Sequence, residues 1–244
     1  MRTGLKPSFS WWGRCGFVLI WFSVVPAWAL EPVTLQLKWT HAFQFAGYYA
    51  AVEQGYYREA GLEVTILEAS PKTDPVSEVV EGRAQYGVGT SGLLLSRASG
   101  KPVVVLAVIF QQSPYEIYAS PQIHTLQDLV GKRLMLEPQT EELLALLKKE
   151  GVPLEHIELL PHSFDADGLM TGKADAISGY ISNEPYYFLQ AGFMYQTFRP
   201  RSAGIDFYGD NLFTSEQELR DNPARVRAFR SASLFWRSKM PLIS

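Results

Sequence analysis

The chain has 244 residues, of which 47% are hydrophobic, enough for one large domain or two small lobes with packed cores. Its formal net charge is −3, and its 22 Lys and Arg residues form no basic stripe, which argues against a nucleic-acid-binding protein. Cys15 is the single cysteine and lies near the amino end, so the rest of the chain contains no disulfide, thiol nucleophile or cysteine-ligated metal.

The first 29 residues have the pattern of an export signal. Three basic residues precede or flank an apolar run over 15–25, and an Ala-Trp-Ala cleavage site follows at 27–29. An uncleaved membrane anchor is the alternative, but the run is short against the roughly 20 apolar residues that a span needs. We therefore predict cleavage after Ala29 and a periplasmic chain with a formal net charge of about −6.

The segment Leu35–Gly61 predicts a strand, an aromatic loop and a helix. Apolar and polar residues alternate over Leu35–Thr40, which is typical of a strand with one apolar face and places Lys38 among the polar residues. From Tyr48 to the end of the segment the spacing is helical. Such a strand would bring Trp39 to the carboxyl edge of a sheet, where open α/β sheets bind ligands.

Strand and helix patterns alternate along the remaining chain, which predicts an α/β layered fold. The aliphatic run Val103–Ile109 is typical of a parallel strand buried on both faces. The other predicted strands are 62–67, 86–88, 134–136, 157–160 and 174–180, and the other predicted helices are 75–81, 93–99, 141–150, 165–171, 185–192 and 223–236.

Two segments resemble one protein family. Leu35–Gly61 resembles the opening of periplasmic substrate-binding proteins for thiamine-pyrimidine precursors, whose superfamily also holds alkanesulfonate and taurine binders (SsuA-like) and thiamine pyrimidine synthase. Residues 126–134 resemble the passage that opens the second lobe of such proteins. The resemblance implies a type II periplasmic binding protein fold, in which two α/β lobes face each other across a cleft.

The resemblance also implies the domain organisation. We predict a signal peptide at 1–29, the first part of lobe 1 at 30–117, lobe 2 at 118–198 and a return to lobe 1 at 199–244. Residues 222–230 resemble a late helix that the family normally continues into further helices. We therefore expect a truncated copy, or a piece of a longer receptor, with marginal stability.

The first predicted site lies in the strand–loop–helix segment. The indole of Trp39 could stack on a heterocycle, worth about 0.5–1.5 kcal/mol beyond burial. The alternative is a core tryptophan at a strand end. We also predict ligand contacts from His41, Phe45 and Tyr49, and favour Tyr49 among the aromatic residues because one face of that helix must be core.

The second predicted site precedes the helix that begins near Pro185. Proline suits a first helical position, so we predict Glu184 as an N-cap whose ionised form is stabilised by free N–H groups and the helix dipole. Tyr180 could stack on the same ring, and Asn183 is included as a contact. Aminopyrimidine binders pair an aromatic residue with an acid after an Asp-Ala strand, here 175–176, although a plain capping glutamate is the alternative.

Weaker candidates lie at three other loops. Thr90 and Ser91, between Gly89 and Gly92, could bind an anion at a helix start or form a simple capped turn. Glu137 follows a predicted strand and could face the cleft. Asp206, Tyr208 and Asp210 lie on the return segment, and we include Asp206 and Tyr208 as contacts, with turn formation as the alternative.

No metal or cofactor is predicted. His41, His124, His156 and His162 have neither the spacing nor the clustering of metal ligands. We also predict no catalytic residues, since neither a Walker phosphate loop nor a nucleophile elbow is present.

The resemblance implies a monomeric binding protein of an ABC-type importer, which delivers a thiamine-related aminopyrimidine or similar nitrogen heterocycle to a membrane permease. Acids and aromatic residues, rather than Arg and Lys, favour this ligand over a sulfonate. One alternative is a ligand-sensing input domain split from a signalling receptor. The other is a thiamine pyrimidine synthase, which uses pyridoxal phosphate and a histidine. The histidine, cysteine-rich and glycine-rich motifs of that enzyme fall on Gly92, 204–208 and 137–140, where the required residue types are missing.

Overall fold

The structure, a computed structural model, describes residues 1, 4, 29–163 and 165–239. The predicted signal peptide over 1–29 therefore lies almost wholly outside the described residues. Among the helices that are described, none combines the length and the apolar character that a membrane span requires.

The described residues fold into strands and helices that alternate along most of the chain. The strands are β1 Glu31–Gln36, β2 Leu62–Leu67, β3 Tyr86–Gly89, β4 Val103–Phe110, β5 Tyr115–Ala119, β6 Arg133–Leu136, β7 Glu158–Pro161, β8 Ala176–Tyr180, β9 Gln196–Phe198 and β10 Gly209–Ser215. The helices are α1 Ala46–Glu53, α2 Tyr56–Glu59, α3 Pro75–Val80, α4 Leu93–Ala98, α5 Glu141–Lys149, α6 Asp167–Met170, α7 Glu184–Ala191, α8 Glu216–Asp221 and α9 Pro223–Lys239. Short 3₁₀ turns occupy Phe43–Phe45, Leu126–Leu129, Leu154–His156 and Pro200–Ala203.

The strands form two five-stranded sheets, one in each lobe. The sheet of lobe 1 has the order β2-β1-β3-β10-β4, and the sheet of lobe 2 has the order β7-β6-β8-β5-β9. In lobe 1, β1 is parallel to both neighbours, whereas β10 enters antiparallel between β3 and β4. Lobe 1 is therefore completed by residues that follow lobe 2, and the chain crosses between the lobes over 111–114 and 199–208.

Helix α9 covers the core of lobe 1. The ring of Phe229 stacks on Tyr86 with centroids 3.7 Å apart and on Tyr57 with centroids 5.1 Å apart. All three side chains are buried. Because such rings bury large apolar areas, this stack fixes α9 against the sheet and against α2.

The core of lobe 2 is closed by the amphipathic helix α5. Leu143, Leu146 and Leu147 share one face and are buried, whereas Lys148 and Lys149 point to solvent. The buried face packs into a cluster that includes residues of β5, β6 and β8. The first turn of the same helix contains two glutamates, of which Glu141 packs on Gly92 of lobe 1.

The structure differs from the predicted elements in two places near the amino end. Strand β1 ends at Gln36, so Trp39 lies in the bend that follows the strand and not within it. The predicted helix from Tyr48 is divided into α1 and α2 by Gly55, whose φ of 77° lies in the left-handed region that glycine adopts without steric cost.

The prediction that Val103–Ile109 forms a parallel strand buried on both faces is wrong. Strand β4 is antiparallel, lies at the edge of the lobe 1 sheet and pairs with β10 alone among the described strands. Most of its side chains are partly exposed, including Val105 at 44%. An uninterrupted aliphatic run does not distinguish a central strand from an edge strand, because it has no polar face in either case.

The first residue of the lobe 2 sheet differs slightly from the predicted start of lobe 2. The sheet of lobe 2 begins with β5 at Tyr115, three residues before the predicted start at 118, and its last strand is β9. The predicted return from 199 contains the second crossing, β10, α8 and α9.

Candidate ligand-binding cleft

Three strands deliver side chains to the space between the lobes. The bend after β1 carries Lys38 and Trp39, Glu137 directly follows β6, and Tyr180 is the last residue of β8. These carboxyl-terminal strand ends converge on a small cavity, the inner recess, of about 10 Å³. The inner recess is lined by Lys38, Trp39, Gln44, Glu137, Tyr180, Asn183 and Glu184.

Polar and aromatic contacts join the two lobes across the cleft. Tyr180 of lobe 2 donates its hydroxyl hydrogen to Asp210 Oδ1 of lobe 1 at 2.8 Å. Lys38 Nζ of lobe 1 donates to the Tyr115 hydroxyl at 3.1 Å, and that hydroxyl donates to Glu137 Oε2 at 2.8 Å. The inner recess is therefore built from both lobes, as in a cleft that closes on a ligand.

Trp39 also contacts the opposite lobe. Its ring lies 5.3 Å from that of His162, measured between centroids, and the two planes are inclined by 59°. Trp39 is 6% exposed, so little of its surface faces solvent. The indole thus forms part of the lobe interface as well as a wall of the inner recess.

Glu184 is held by backbone and side-chain donors. Its Oε2 accepts from the Tyr180 N–H at 2.5 Å, and its Oε1 accepts from Asn183 Nδ2 at 2.8 Å. The carboxylate packs directly on Gly179, where a Cβ would lie only 2.4 Å from Oε2. Strand β8 therefore needs a glycine at this position to admit the acid.

The predicted capping role of Glu184 is wrong in detail. Glu184 is the first residue of α7, and the N-cap is Asn183, which makes no side-chain capping bond. Burial, followed by the charge of Glu137, raises the pKa of Glu184 despite the hydrogen bonds that it accepts. The carboxylate is therefore less readily ionised than the helix-dipole argument predicted.

Other buried acids around the cleft behave in the same way. Burial raises the pKa of Glu137 and of Asp210, and the charge of Lys38 opposes both shifts. Burial raises the pKa of Glu142 to about 7, although its carboxylate accepts a hydrogen bond from Ser113. The cleft thus concentrates carboxyl groups in an environment that disfavours negative charge.

Two larger cavities adjoin the inner recess. The outer recess, about 370 Å³, shares Trp39 and Asn183 with it and also includes His41, Phe43 and Tyr187. The lateral recess, about 340 Å³, shares Lys38 and Glu137 with it and also includes Asp74, Tyr115 and Gln139. The inner recess has about the volume of one water molecule, so a heterocycle requires the lobes to open or must also occupy these adjoining cavities.

The structure brings five predicted contact residues together around the inner recess. They are Trp39, Glu137, Tyr180, Asn183 and Glu184. His41 lies at the outer recess, where its Nδ1 is hydrogen-bonded to the Tyr49 hydroxyl and its side chain is 53% exposed. Tyr49 itself is half-buried on α1 and lines neither recess.

Phe45 lies elsewhere. It is 1% exposed and packs in the core of lobe 1, so the predicted contact is corrected to a core residue. Aromatic residues in a loop before a helix satisfy either role, and the sequence pattern does not separate them.

The predicted anion-binding turn is occupied by polar contacts of the protein. Thr90 donates its hydroxyl hydrogen to the Gln139 carbonyl at 2.9 Å and accepts from the Gly92 N–H at 3.1 Å, while neighbouring Ser91 is half-buried. The Glu141 carboxylate packs on Gly92, where a Cβ would lie 2.4 Å from Oε2. A negative side chain at this turn disfavours an added anion, so the turn acts as a contact between lobes.

Asp206 and Tyr208 lie away from the inner recess. Asp206 is ion-paired with Arg201 at 3.8 Å and lines a separate cavity beside the crossing segments. Tyr208 is 56% exposed. Neither predicted contact is among the residues that line the inner recess with Trp39 and Glu184.

Two residues of the cleft were not predicted, Lys38 and Gln44, and a third, Asp210, was noted on the return segment but not included among the contacts. Lys38 and Gln44 line the inner recess, and Asp210 lies behind it, bound to Tyr180 and Lys38. Lys38 was placed among polar strand residues, but the strand ends before it. The one available signal for Asp210 was its presence on the return segment beside Tyr208.

No group of three or more His, Cys, Asp or Glu residues suited to a metal ion occurs in the part of the chain that the structure describes. His162 contacts the ring of Trp39, and its Nε2 lies 3.3 Å from the Ser178 carbonyl oxygen.

The two lobes, the strand order and the cleft define the type II periplasmic binding protein fold. A protein from Bordetella bronchiseptica shares this fold with a TM-score of 0.75 and 18% identity, covering 86% of this chain and 73% of its own. The periplasmic aliphatic sulphonate-binding protein SsuA from Escherichia coli shares it with a TM-score of 0.59 and 16% identity, covering 86% and 75%.

Residues 42–235 match the NMT1/THI5-like family, and the chain belongs to that family. It is 26% identical over 220 residues to the formylaminopyrimidine-binding protein of Halalkalibacterium halodurans, and 26% identical over 216 residues to the riboflavin-binding protein RibY of Chloroflexus aurantiacus. These matches cover 87% and 84% of this chain but 65% and 61% of the two relatives, so the chain spans less than two thirds of their length.

Proposed function

We propose that this chain is an exported binding protein that captures a small planar nitrogen heterocycle, of the aminopyrimidine type, and delivers it to a membrane importer. The observation that carries the proposal is the grouping of side chains around the inner recess, where the rings of Trp39 and Tyr180 lie beside the carboxyl groups of Glu137 and Glu184. The recess of about 10 Å³ is smaller than a pyrimidine ring, so binding requires the lobes to move apart and close again on the ligand. Flat rings favour stacking, and carboxylates accept hydrogen bonds from amino groups.

The family relatives support this class of ligand. Two of them are named for binding formylaminopyrimidine and riboflavin, both of which contain planar nitrogen heterocycles. A sulfonate fits the recess poorly, because buried carboxyl groups outnumber its single lysine among the described lining residues. We do not propose catalysis, since the candidate residues serve to bind and orient a ring.

The test is isothermal titration of 4-amino-5-hydroxymethyl-2-methylpyrimidine into the wild-type chain and the Glu184→Gln variant. We expect the variant to bind about 10- to 150-fold more weakly, which corresponds to about 1.5–3 kcal/mol for a charge-assisted hydrogen bond. Glu116→Gln is the matched control, because Glu116 is also buried but pairs with Arg199 at 2.6 Å outside the recess.

A thermal-shift series extends the test to other ligands. Riboflavin, thiamine, taurine and an alkanesulfonate are compared with the pyrimidine, since a ligand that binds the folded chain raises its melting temperature. Stabilisation by the sulfonates alone, or equal weakening by Glu184→Gln and Glu116→Gln, would contradict the proposal.

A further inference from the structure

The cleft already surrounds one ammonium group. Lys38 Nζ lies 4.2 Å from the ring centroid of Tyr180 and 4.9 Å from that of Tyr115. The same atom lies 3.6 Å from Asp210 Oδ1, and the Lys38 side chain is 6% exposed. Two aromatic faces and a carboxylate around a buried cation are the elements of a cation-binding cage.

The buried carboxyl groups around the cleft outnumber the single ammonium group of Lys38. Four buried acids surround the cleft. Burial raises the pKa of three of them, Glu137, Glu142 and Asp210, and the ammonium group of Lys38 opposes each rise. The pKa of the fourth, Glu184, is raised by burial and further by the charge of Glu137. A second cation in the cleft would therefore relieve repulsion between carboxylates and favour their ionised forms.

Asp210 provides an independent observation. It is 1% exposed, and its Oδ2 atom is buried without a hydrogen-bond partner in the described part of the chain. Its φ of 46° lies in the left-handed region, which is uncommon for a residue other than glycine. A buried acceptor without a donor, held by a strained backbone, is typical of functional sites.

The lateral recess gives Lys38 an alternative position. This cavity of about 340 Å³ is lined by Lys38 itself together with Asp74 and Glu137. A lysine side chain has four rotatable carbon–carbon bonds, so its ammonium group can move into the lateral recess and keep carboxylate neighbours.

On the basis of the proposed function, we propose that the cleft selects a heterocycle carrying an organic cation, an ammonium or amidinium group, which replaces the Lys38 ammonium between Tyr180, Tyr115 and Asp210. Lys38 is then a specificity-determining residue that competes with the ligand for this cage. Neutral rings stack on Trp39 and Tyr180 without gaining the ionic contacts, and anionic ligands are repelled.

The experiment compares two probes of nearly equal shape. 4-Amino-5-hydroxymethyl-2-methylpyrimidine is uncharged in its side group, whereas its 5-aminomethyl counterpart carries an ammonium group at neutral pH. Titration calorimetry on the whole chain at pH 7.5 is expected to give at least tenfold tighter binding of the aminomethyl probe. Lys38→Met is expected to increase that preference a further tenfold by removing the competing cation, whereas Lys148→Met, on the exposed face of α5, leaves it unchanged.

The outcomes separate the two proposals. Equal affinity for both probes would overturn the cation preference and leave the proposed heterocycle binding intact. Failure of both probes to bind would contradict both proposals. Weaker binding of the aminomethyl probe by Lys38→Met would show that Lys38 supports the ligand and does not compete with it. If Lys38→Met does not fold, as judged by circular dichroism, the bulkier Lys38→Arg is expected to reduce the preference, and Asp210→Asn is expected to abolish it.

Discussion

The two ends of strands β6 and β8 have opposite electrostatics. At the amino ends, Asp175 accepts hydrogen bonds from the backbone N, Nε and Nη2 of Arg133 at 2.9, 3.0 and 3.1 Å. Arg133 thereby lowers the pKa of Asp175. At the carboxyl ends, Glu137 and Tyr180 face the cleft, and burial raises the pKa of Glu137.

Asp175 supports the fold, whereas the acids of the cleft are those that we propose for ligand binding. Asp175 has its own cation and is partly open to solvent, so its charge costs little to maintain. The acids of the cleft share Lys38 and lie in a buried environment, which penalises their charge. Local departures of this kind from optimal stability are expected at functional sites.

The largest effect on stability is expected from Glu142→Gln. Because the carboxyl pKa rises from 4.5 to about 7 on folding, the folded chain holds this proton more tightly than the unfolded chain. Its stabilising contribution is complete below about pH 4.5 and is lost as the pH rises through 7. At pH 8 the variant should be more stable than wild type by up to about 3 kcal/mol, measured by urea unfolding, with little difference at pH 4.5.

Glu150→Gln, at the exposed end of α5, is the control and should follow the wild-type curve at both pH values. A Glu142→Gln variant that is destabilised at pH 8 would mean that the cleft benefits from this charge, and the contrast between the strand ends would fail.

Asp175→Ala tests the other end of the strands. The substitution leaves the Arg133 N–H and guanidinium without their acceptor, so we expect a loss of about 2 kcal/mol in the free energy of unfolding at pH 7 and unchanged ligand affinity. Because the pKa of Asp175 is lowered, the wild-type advantage should disappear as the pH falls below about 4. Asp221→Ala, at an exposed helix end, is the control. Reduced ligand affinity in Asp175→Ala would contradict the assignment of Asp175 to the fold alone.

The smallest effect is expected from Tyr180→Phe. This variant keeps the ring but removes the hydroxyl that donates to Asp210 Oδ1, so about 1 kcal/mol of stability should be lost in thermal unfolding. Tyr186→Phe on the exposed side of α7 should have no effect. A loss of 3 kcal/mol or more would mean that the Tyr180 hydroxyl mainly stabilises the fold, as Asp175 does.

The sequence predicted those features that depend on local pattern. Trp39, Tyr180 and Glu184 were predicted as contacts because they stand near a strand end or a helix start, and the structure places all three around the inner recess. The alternation of strands and helices likewise predicted two α/β lobes.

Features that depend on distant pairing were not predicted. Asp210 reaches the cleft because β10 inserts between β3 and β4, and no short pattern around Gly209 encodes that insertion. Lys38 is buried because Tyr115 and Tyr180 of the other lobe cover it. The side chain of Phe45 lies in the core of lobe 1. Packing against distant residues, and not the local sequence pattern, decides between the cleft and the core.

The central position of β10 has a consequence for biosynthesis. In an exported chain, residues 115–198, which hold all five strands of one sheet, cross the membrane as an uninterrupted stretch before β10 does. The facing edges of β3 and β4 therefore stay unsatisfied throughout that interval, and they are exposed to wrong partners until residues 209–215 emerge. The rate of export and chaperone capture in this window should govern the yield of native protein.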